Sequence, residues 1–159
     1  VSRSVNVRES VVFPVPVGDA WELVTRCDLT YVSQRWGPIP GIVAIRDEPP
    51  RFFDEPGHSR ILVNSDASTV VETIRALDPP RSIDYTISEL TNAFRHLTSG
   101  ATARFDFEPV DNNDTRVTWH YAWDAHNAAS LPLVWLITHV AYRPYMRGML
   151  ERMSKGTVS

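Results

Sequence analysis

The stretch ATARFDFEPVDNNDTRVTWHYAWD, residues 101–124, carries more fold information than any other part of the chain. Its first half sets Ala103, Phe105 and Phe107 against Arg104, Asp106 and Glu108. Its second half sets Val117, Trp119, Tyr121 and Trp123 against Thr118, His120 and Ala122. A period of two belongs to strands with one dry face and one wet face. Asp111-Asn-Asn-Asp114 lies between the halves and supplies turn residues at hairpin length. Ala101 to Val110 and Thr115 to Asp124 therefore read as a hairpin.

On its N-terminal side the chain punctuates itself as a meander. Strands are expected at Ile42–Ile45, Ser59–Val63, Thr69–Leu77 and Ser82–Ser88, the last with Ile83, Tyr85 and Ile87 on one face. Asp47 to Gly57, Ser65-Asp66 and Asp78-Pro79-Pro80 separate them, and the polar stretch Glu89 to Ser99 is ambiguous. Val5 to Phe13 alternates as a first strand, stopped by the prolines at 14 and 16. Pro16 to about Arg26 then reads as a helix with Asp19 and Glu22 near its positive end and Ala20, Trp21, Leu23 and Val24 as its apolar stripe. Asp28 to Trp36 reads as a second, short helix ended by Gly37-Pro38.

The last segment, Ser130 to Lys155, is expected to be one long helix capped by Ser130. Trp135, Leu136, Val140, Ala141, Tyr145, Met149, Leu150 and Met153 recur at three- and four-residue steps. Pro144 should kink this helix or free a carbonyl one turn earlier. A strand, two short helices, about six antiparallel strands and a long helix make an α+β architecture. The helix must cover the dry face of the sheet, where Tyr85, Phe105, Phe107, Trp119, Tyr121 and Trp123 gather. Rings on a curved sheet leave either a solid core or a ligand cavity, and both remain open at this point.

Composition narrows the classes of function. The chain has 159 residues, 43% hydrophobic and 22% charged, which suits one domain over 1–159. A formal charge of −3 offers no field for a nucleic-acid backbone. Fifteen of the sixteen cations are arginine, and Lys155 is the remaining one, a bias with no mechanism attached to it. The lone Cys27 cannot form an internal disulfide, and VSRSVNVRES lacks the apolar run of a signal peptide, so a cytoplasmic protein is expected. The longest apolar stretch, Leu131 to Ile137, is far too short to span a membrane.

Several motifs carry a resemblance. Pro16-x-x-x-x-Trp21-Glu-Leu-Val and Tyr31-x-x-x-x-Trp36 resemble the opening of the START-like superfamily, also called helix-grip or Bet v 1-like. Val71-Glu72-x-Ile74 and Asp78-Pro79-Pro80-Arg81-x-Ile83-x-Tyr85 resemble the middle strands of its bacterial polyketide cyclase/dehydrase-like branch. Ala103-Arg-Phe-Asp-Phe-Glu-Pro109 and Thr115-Arg-Val-Thr-Trp119 resemble its last hairpin, with Asn113-Asp114-Thr115 where the family usually has a Gly-Thr turn. The resemblance implies an apolar tunnel between the C-terminal helix and the sheet. It also implies a lipid-like or aromatic guest, since family members include polyketide cyclases, lipid and sterol carriers, hormone receptors and ring-hydroxylase subunits. A fold shared so widely does not choose among them.

Candidate ligand contacts are Trp36, Tyr85, Phe105, Phe107, Trp119, Tyr121, Val140, Ala141 and Tyr145. Arg35, Glu72, Tyr85, Arg95, Tyr121, Tyr142 and Tyr145 are the polar groups that could enter a tunnel, each set against a plain surface or rim role. Five histidines at 58, 96, 120, 126 and 139 show no metal-ligand spacing, so no metal and no cofactor are expected. His120 falls on the wet face, and His139 could reach a tunnel mouth. Cys27 lacks a histidine partner and reads as filler. The expected partner is a hydrophobic small molecule, bound by a monomer or homodimer with no membrane insertion. The enzymatic alternative is a cofactor-independent polyketide cyclase or dehydratase in the same tunnel.

Overall fold

In the computed structural model, residues 3–156 are described; the ends of the expected domain at 1–2 and 157–159 lie outside them. β6 (Thr98–Pro109) and β7 (Thr115–Ala125) pair in the register that the alternation demands. Phe105 lies opposite Trp119, Ala103 opposite Tyr121 and Phe107 opposite Val117, all buried. The Asp111 carboxylate closes their turn, accepting the N–H groups of Asn113 and Asp114 at 2.8 Å each. On the opposite face Arg104 donates to Asp84 and Asp106, and His120 stands 3.3 Å from Asp106. The wet face thus carries a ladder of charge where the dry face carries rings.

β1 (Ser4–Phe13) flanks β7, while β5 (Ser82–Ser88), β4 (Thr69–Asp78), β3 (Ser59–Asn64) and β2 (Ile42–Arg46) extend the other side. The seven antiparallel strands stand in the order β1-β7-β6-β5-β4-β3-β2. Neighbours in sequence pair everywhere except at β1, whose connection crosses to the far edge through α1 (Val17–Thr25) and α2 (Leu29–Val32). β6 bulges between Thr98 and Gly100. There Gly100 has φ +145°, and a Cβ would stand 2.2 Å from the Ile87 carbonyl oxygen. Only glycine lets the two strands approach so closely.

The concave face is covered by α1, by α3 (Leu131–Ile137) and by α4 (Arg143–Ser154). Val134, Tyr145, Met146, Met149, Leu150 and Met153 are buried in the resulting core. A charged clip fixes the rod to the first strand. Glu9, largely buried on the inner side of β1, accepts from Arg143 at 2.9 Å and from Arg147 at 3.3 Å. Seven antiparallel strands around one long helical segment are the α+β arrangement that the sequence implies.

Three local expectations change and one open segment is resolved. The second helix is one turn, Leu29–Val32, because the Asp28 side chain caps it at Thr30 and Ser33 leaves helical geometry. Glu89–Ser99 resolves into a short 3₁₀ turn, Ala93–His96, capped by Asn92, and Thr98 already begins β6. The C-terminal rod is interrupted at Thr138–Tyr142 by a π turn, in which the Arg143 N–H reaches back to Thr138. Pro144 has no N–H to donate, and the wider turn leaves it in the first turn of α4, where none is needed. Asn127, not Ser130, provides the side-chain cap before α3.

The inserted residue also rotates the two helices relative to each other. Counting back from Met149 in steps of about 3.6 residues would turn Trp135 inward. Instead Val134 is fully buried and Trp135 is 52% exposed, stacked on His139 with ring centroids 4.4 Å apart. Leu150 sits at the centre of the helix–sheet contact with no exposure. Leu150→Ala should cost about 2–5 kcal/mol through the cavity it leaves. Urea unfolding should therefore show a lower midpoint with an unchanged slope.

Candidate functional site

The dry face is not plugged by its rings. A cavity of about 360 Å³ lies between the sheet and the helical rod. Tyr85 and Ile87 of β5, Phe105 of β6, and Trp119, Tyr121 and Trp123 of β7 form its floor. Tyr142, Tyr145, Met149 and Met153 of the rod line the opposite wall. Cavity-lining residues that also reach solvent mark its opening: Pro38 and Ile39 before β2, Leu90, Ala93 and Phe94 between β5 and β6, and Ile137 at the end of α3.

The floor is a ladder of rings. Phe105 stacks on Trp119 with centroids 4.9 Å apart, Trp119 leans on Tyr121 at 5.3 Å, and Tyr121 stacks on Trp123 at 5.4 Å. Tyr142 meets Tyr121 edge-on at 5.1 Å, which joins the floor to the rod. Polar tips inside this surface are paired with one another. Trp119 Nε1 donates to the Tyr85 hydroxyl at 2.8 Å, and the hydroxyls of Tyr85 and Tyr121 share a hydrogen bond of 2.9 Å. Tyr145 bonds Ser33, whose Oγ also accepts from the Ile42 N–H at 3.0 Å. Trp123 Nε1 is the one buried side-chain N or O among the described residues with no partner.

At one side of the cavity sits an ionic group. Arg60 of β3 donates through Nε to Glu72 of β4 at 2.8 Å, and it also bonds Glu48. Its guanidinium lies 4.0 Å from the centroid of Phe52 and 5.3 Å from that of Phe53. Burial alone would lower the Arg60 pKa, but the two carboxylates outweigh it and hold the group charged. Burial pushes the Tyr85, Tyr121 and Tyr142 hydroxyls well above the usual tyrosine range, and the nearby charge of Glu72 adds to this. Burial likewise takes Tyr145 up to about 12 and the Cys27 thiol up to about 12. These hydroxyls are therefore donors, not phenolates, at any physiological pH, and Cys27 is an unreactive thiol.

Of the nine expected contacts, Tyr85, Phe105, Trp119, Tyr121 and Tyr145 are brought together on the cavity wall. Phe107 is buried under α1 instead, its ring 5.3 Å from that of Trp21. Ala141 is buried in the π turn, outside the lining. Val140 faces solvent at 56% exposure, because adjacent helical residues point about 100° apart and Ala141 takes the inward direction. Trp36 is 43% exposed. Two backbone bonds close a turn between Trp36 and Ile39, which turns Ile39 inward and leaves the indole outside.

Arg35 and Arg95 are exposed and bond loop carbonyls. Tyr142 and Glu72 do line the cavity, and His139 does not. Arg60 escapes a reading by hydropathy, because Ile61 and Val63 make the wrong face of β3 look apolar. The hairpin register was the available signal, since pairing across Asn64–Ser68 sets Arg60 opposite Glu72. Among the described residues no three His, Cys, Asp or Glu side chains gather as a metal site requires.

Residues 4–156 match the family model described as polyketide cyclase / dehydrase and lipid transport. No curated protein matches the chain. Among solved structures, Ara h 8.0201 superposes with a TM-score of 0.70 at 20% identity, covering 96% of each chain. A norcoclaurine synthase mutant of Thalictrum flavum bound to a transition-state analogue gives 0.70 at 8% identity, covering 96% of this chain and 92% of that one. A START superfamily protein from Mycobacterium smegmatis gives 0.63 at 11% identity, covering 92% and 94%. At these identities the likeness is one of fold.

The buried tyrosines give the protein an alkaline limit. Unfolded, each ionises near the ordinary value of 10.0; folded, Tyr85, Tyr121, Tyr142 and Tyr145 all ionise higher. Folding thus favours their protonated forms. Their contribution to stability is whole below the unfolded value and is lost as pH rises through the folded ones. An alkaline titration should show most phenolate absorbance emerging together with loss of the near-ultraviolet dichroism, above pH 10. Phenolate signal from these four tyrosines in a protein still folded below that pH would contradict the burial described.

Proposed function

The chain belongs to the polyketide cyclase/dehydrase and lipid-transport family, and from that premise we propose that it carries or senses a small hydrophobic or aromatic molecule. The guest lies in the cavity beneath α3 and α4, within one ligand-binding domain formed by the chain. One observation carries the reading: the stacked floor and the helical wall enclose about 360 Å³ that the protein's own side chains leave unfilled. That volume falls at the lower end of the range typical of small-molecule sites. Its dominant surface is aromatic and aliphatic, which favours flat or ring-bearing guests over strongly polar ones.

Carriage is preferred over catalysis on chemical grounds. A general acid or base works best with a pKa near the operating pH. The tyrosines that reach the cavity are pushed far above it by burial, and Arg60 is locked between two carboxylates. Such groups are better suited to holding a guest in a fixed orientation than to cycling protons. A cyclase or dehydratase would add turnover to the same contacts. Among the described residues no helix is long and apolar enough to cross a membrane, which supports action without membrane insertion. The absence of a basic field argues against nucleic acid, and the lone thiol supports a cytoplasmic setting.

A neutral, polarity-sensitive dye such as Nile red should bind saturably with one site per chain. Ile87 lines the cavity floor, and Ile87→Trp would fill the space with a third indole beside Trp119 and Trp123. That variant should keep its circular dichroism and lose dye affinity by about tenfold or more. Non-saturable binding, or equal binding by a folded Ile87→Trp protein, would overturn the proposal.

A further inference from the structure

The ionic group beside the cavity is asymmetric in a way that bears on the guest. Glu72 projects from the inner face of β4, in line with Val70 and Ile74, and is only 7% exposed. Both Arg60 contacts fall on one of its oxygens: Nε at 2.8 Å and a terminal guanidinium nitrogen at 2.6 Å, each on Oε1. Among the described residues nothing donates to Oε2. Nor is Oε2 sealed in protein, since Trp123 Nε1 alone is both buried and unpartnered. Oε2 therefore touches open space, and the space that Glu72 lines is the cavity.

The charge balance points the same way. Among the described residues Arg60 is the one cation of the cavity lining, against the carboxylates of Glu72 and Asp66. It is already committed to Glu72 and Glu48, and its planar face is covered by Phe52 and Phe53. A carboxylate entering here would have to share an arginine that two carboxylates already hold. It would also meet the unpaired oxygen of Glu72 in a low-dielectric site. A hydroxyl entering here would give that oxygen the hydrogen bond it lacks, and a hydrogen bond to a charged acceptor is the stronger kind.

We propose that Glu72 selects for a guest whose polar end is a hydrogen-bond donor, an alcohol, phenol or enol O–H, and against a guest ending in a carboxylate. The selection rests on the cavity-binding reading above and specifies the polar end of its ligand. Glu72 accepts the guest's proton donor through Oε2 while Arg60 holds Oε1 in place. The apolar body of the guest lies on the Trp119–Tyr121 floor. A hydroxyl-bearing ring compound fits this description, and a free fatty acid does not.

The test is displacement of the neutral dye at neutral pH by three naphthalenes of similar size: 2-naphthol, 2-methoxynaphthalene and 2-naphthoate. The naphthol should bind about tenfold tighter than the methyl ether, in which a methyl group replaces the donating hydrogen, and the naphthoate should bind weakest. In Glu72→Gln the amide oxygen can stay on Arg60, which keeps Glu48, while the amide N–H₂ faces the cavity. There the naphthol preference should collapse and the naphthoate should gain at least several-fold. If that variant fails to fold, the comparison of the three compounds on the unmodified protein still decides. Equal binding of naphthol and ether, or naphthoate binding as tightly as naphthol, overturns the role of Glu72 while leaving the cavity reading intact. An unchanged order in a folded Glu72→Gln protein does the same. Failure of the dye and all three naphthalenes to saturate overturns both.

Discussion

A strand can hide only every second side chain, and along β5, β6 and β7 the hidden ones include six aromatic rings. Everything else in the molecule answers that constraint. Seven strands present one broad apolar surface, and a single helical rod is the main element available to cover it. Rings of fixed shape on a bent surface stack with one another more readily than they mesh with a cylinder. The ladder from Phe105 to Trp123 is the result, and the cavity is the space between that ladder and the rod.

The polar groups inside this apolar layer are organised to limit the cost of their burial. Trp119 Nε1, Tyr85 and Tyr121 satisfy one another, and Tyr145 and Ser33 do the same near α2. Arg60 is the expensive group, since removing a guanidinium from water costs several kcal/mol and only well-placed partners offset it. Two carboxylates and two ring faces surround it. A hydrophobic pair at β3 and β4 could serve the fold equally well. The recognition role proposed for Glu72 gives the charge beside this space a reason that fold stability alone does not supply.

The rod is built in two pieces for a related reason. Val134 and Thr138 must face inward in α3 and the π turn, and Tyr145, Met149 and Met153 must do so in α4. An uninterrupted helix would turn Trp135 toward the wall that Met146, Met149, Leu150 and Met153 face, and Pro144 would leave a carbonyl without its donor. One extra residue at Thr138–Tyr142 solves both problems, and the same turn brings Tyr142 edge-on to Tyr121 and Trp123. Glu9 then holds the second piece through Arg143 and Arg147.

The amino-acid sequence by itself determined the strands, their dry and wet faces, the α+β class and the aromatic floor. Each of these follows from short-range periodicity that neighbouring residues carry in full. Tyr85, Phe105, Trp119 and Tyr121 were legible for that reason. Tertiary structure decided the features that depend on which distant elements meet. Phe107 lies on the same face as Phe105, and only the placement of Trp21 removes it from the cavity. Val140 and Trp36 turn outward because of one turn of helix and one closed loop. The pairing of Arg60 with a single oxygen of Glu72 required two strands in register and a space beside them. Periodicity reports which way a side chain leaves its own backbone, whereas packing across the sheet determines what it finds there.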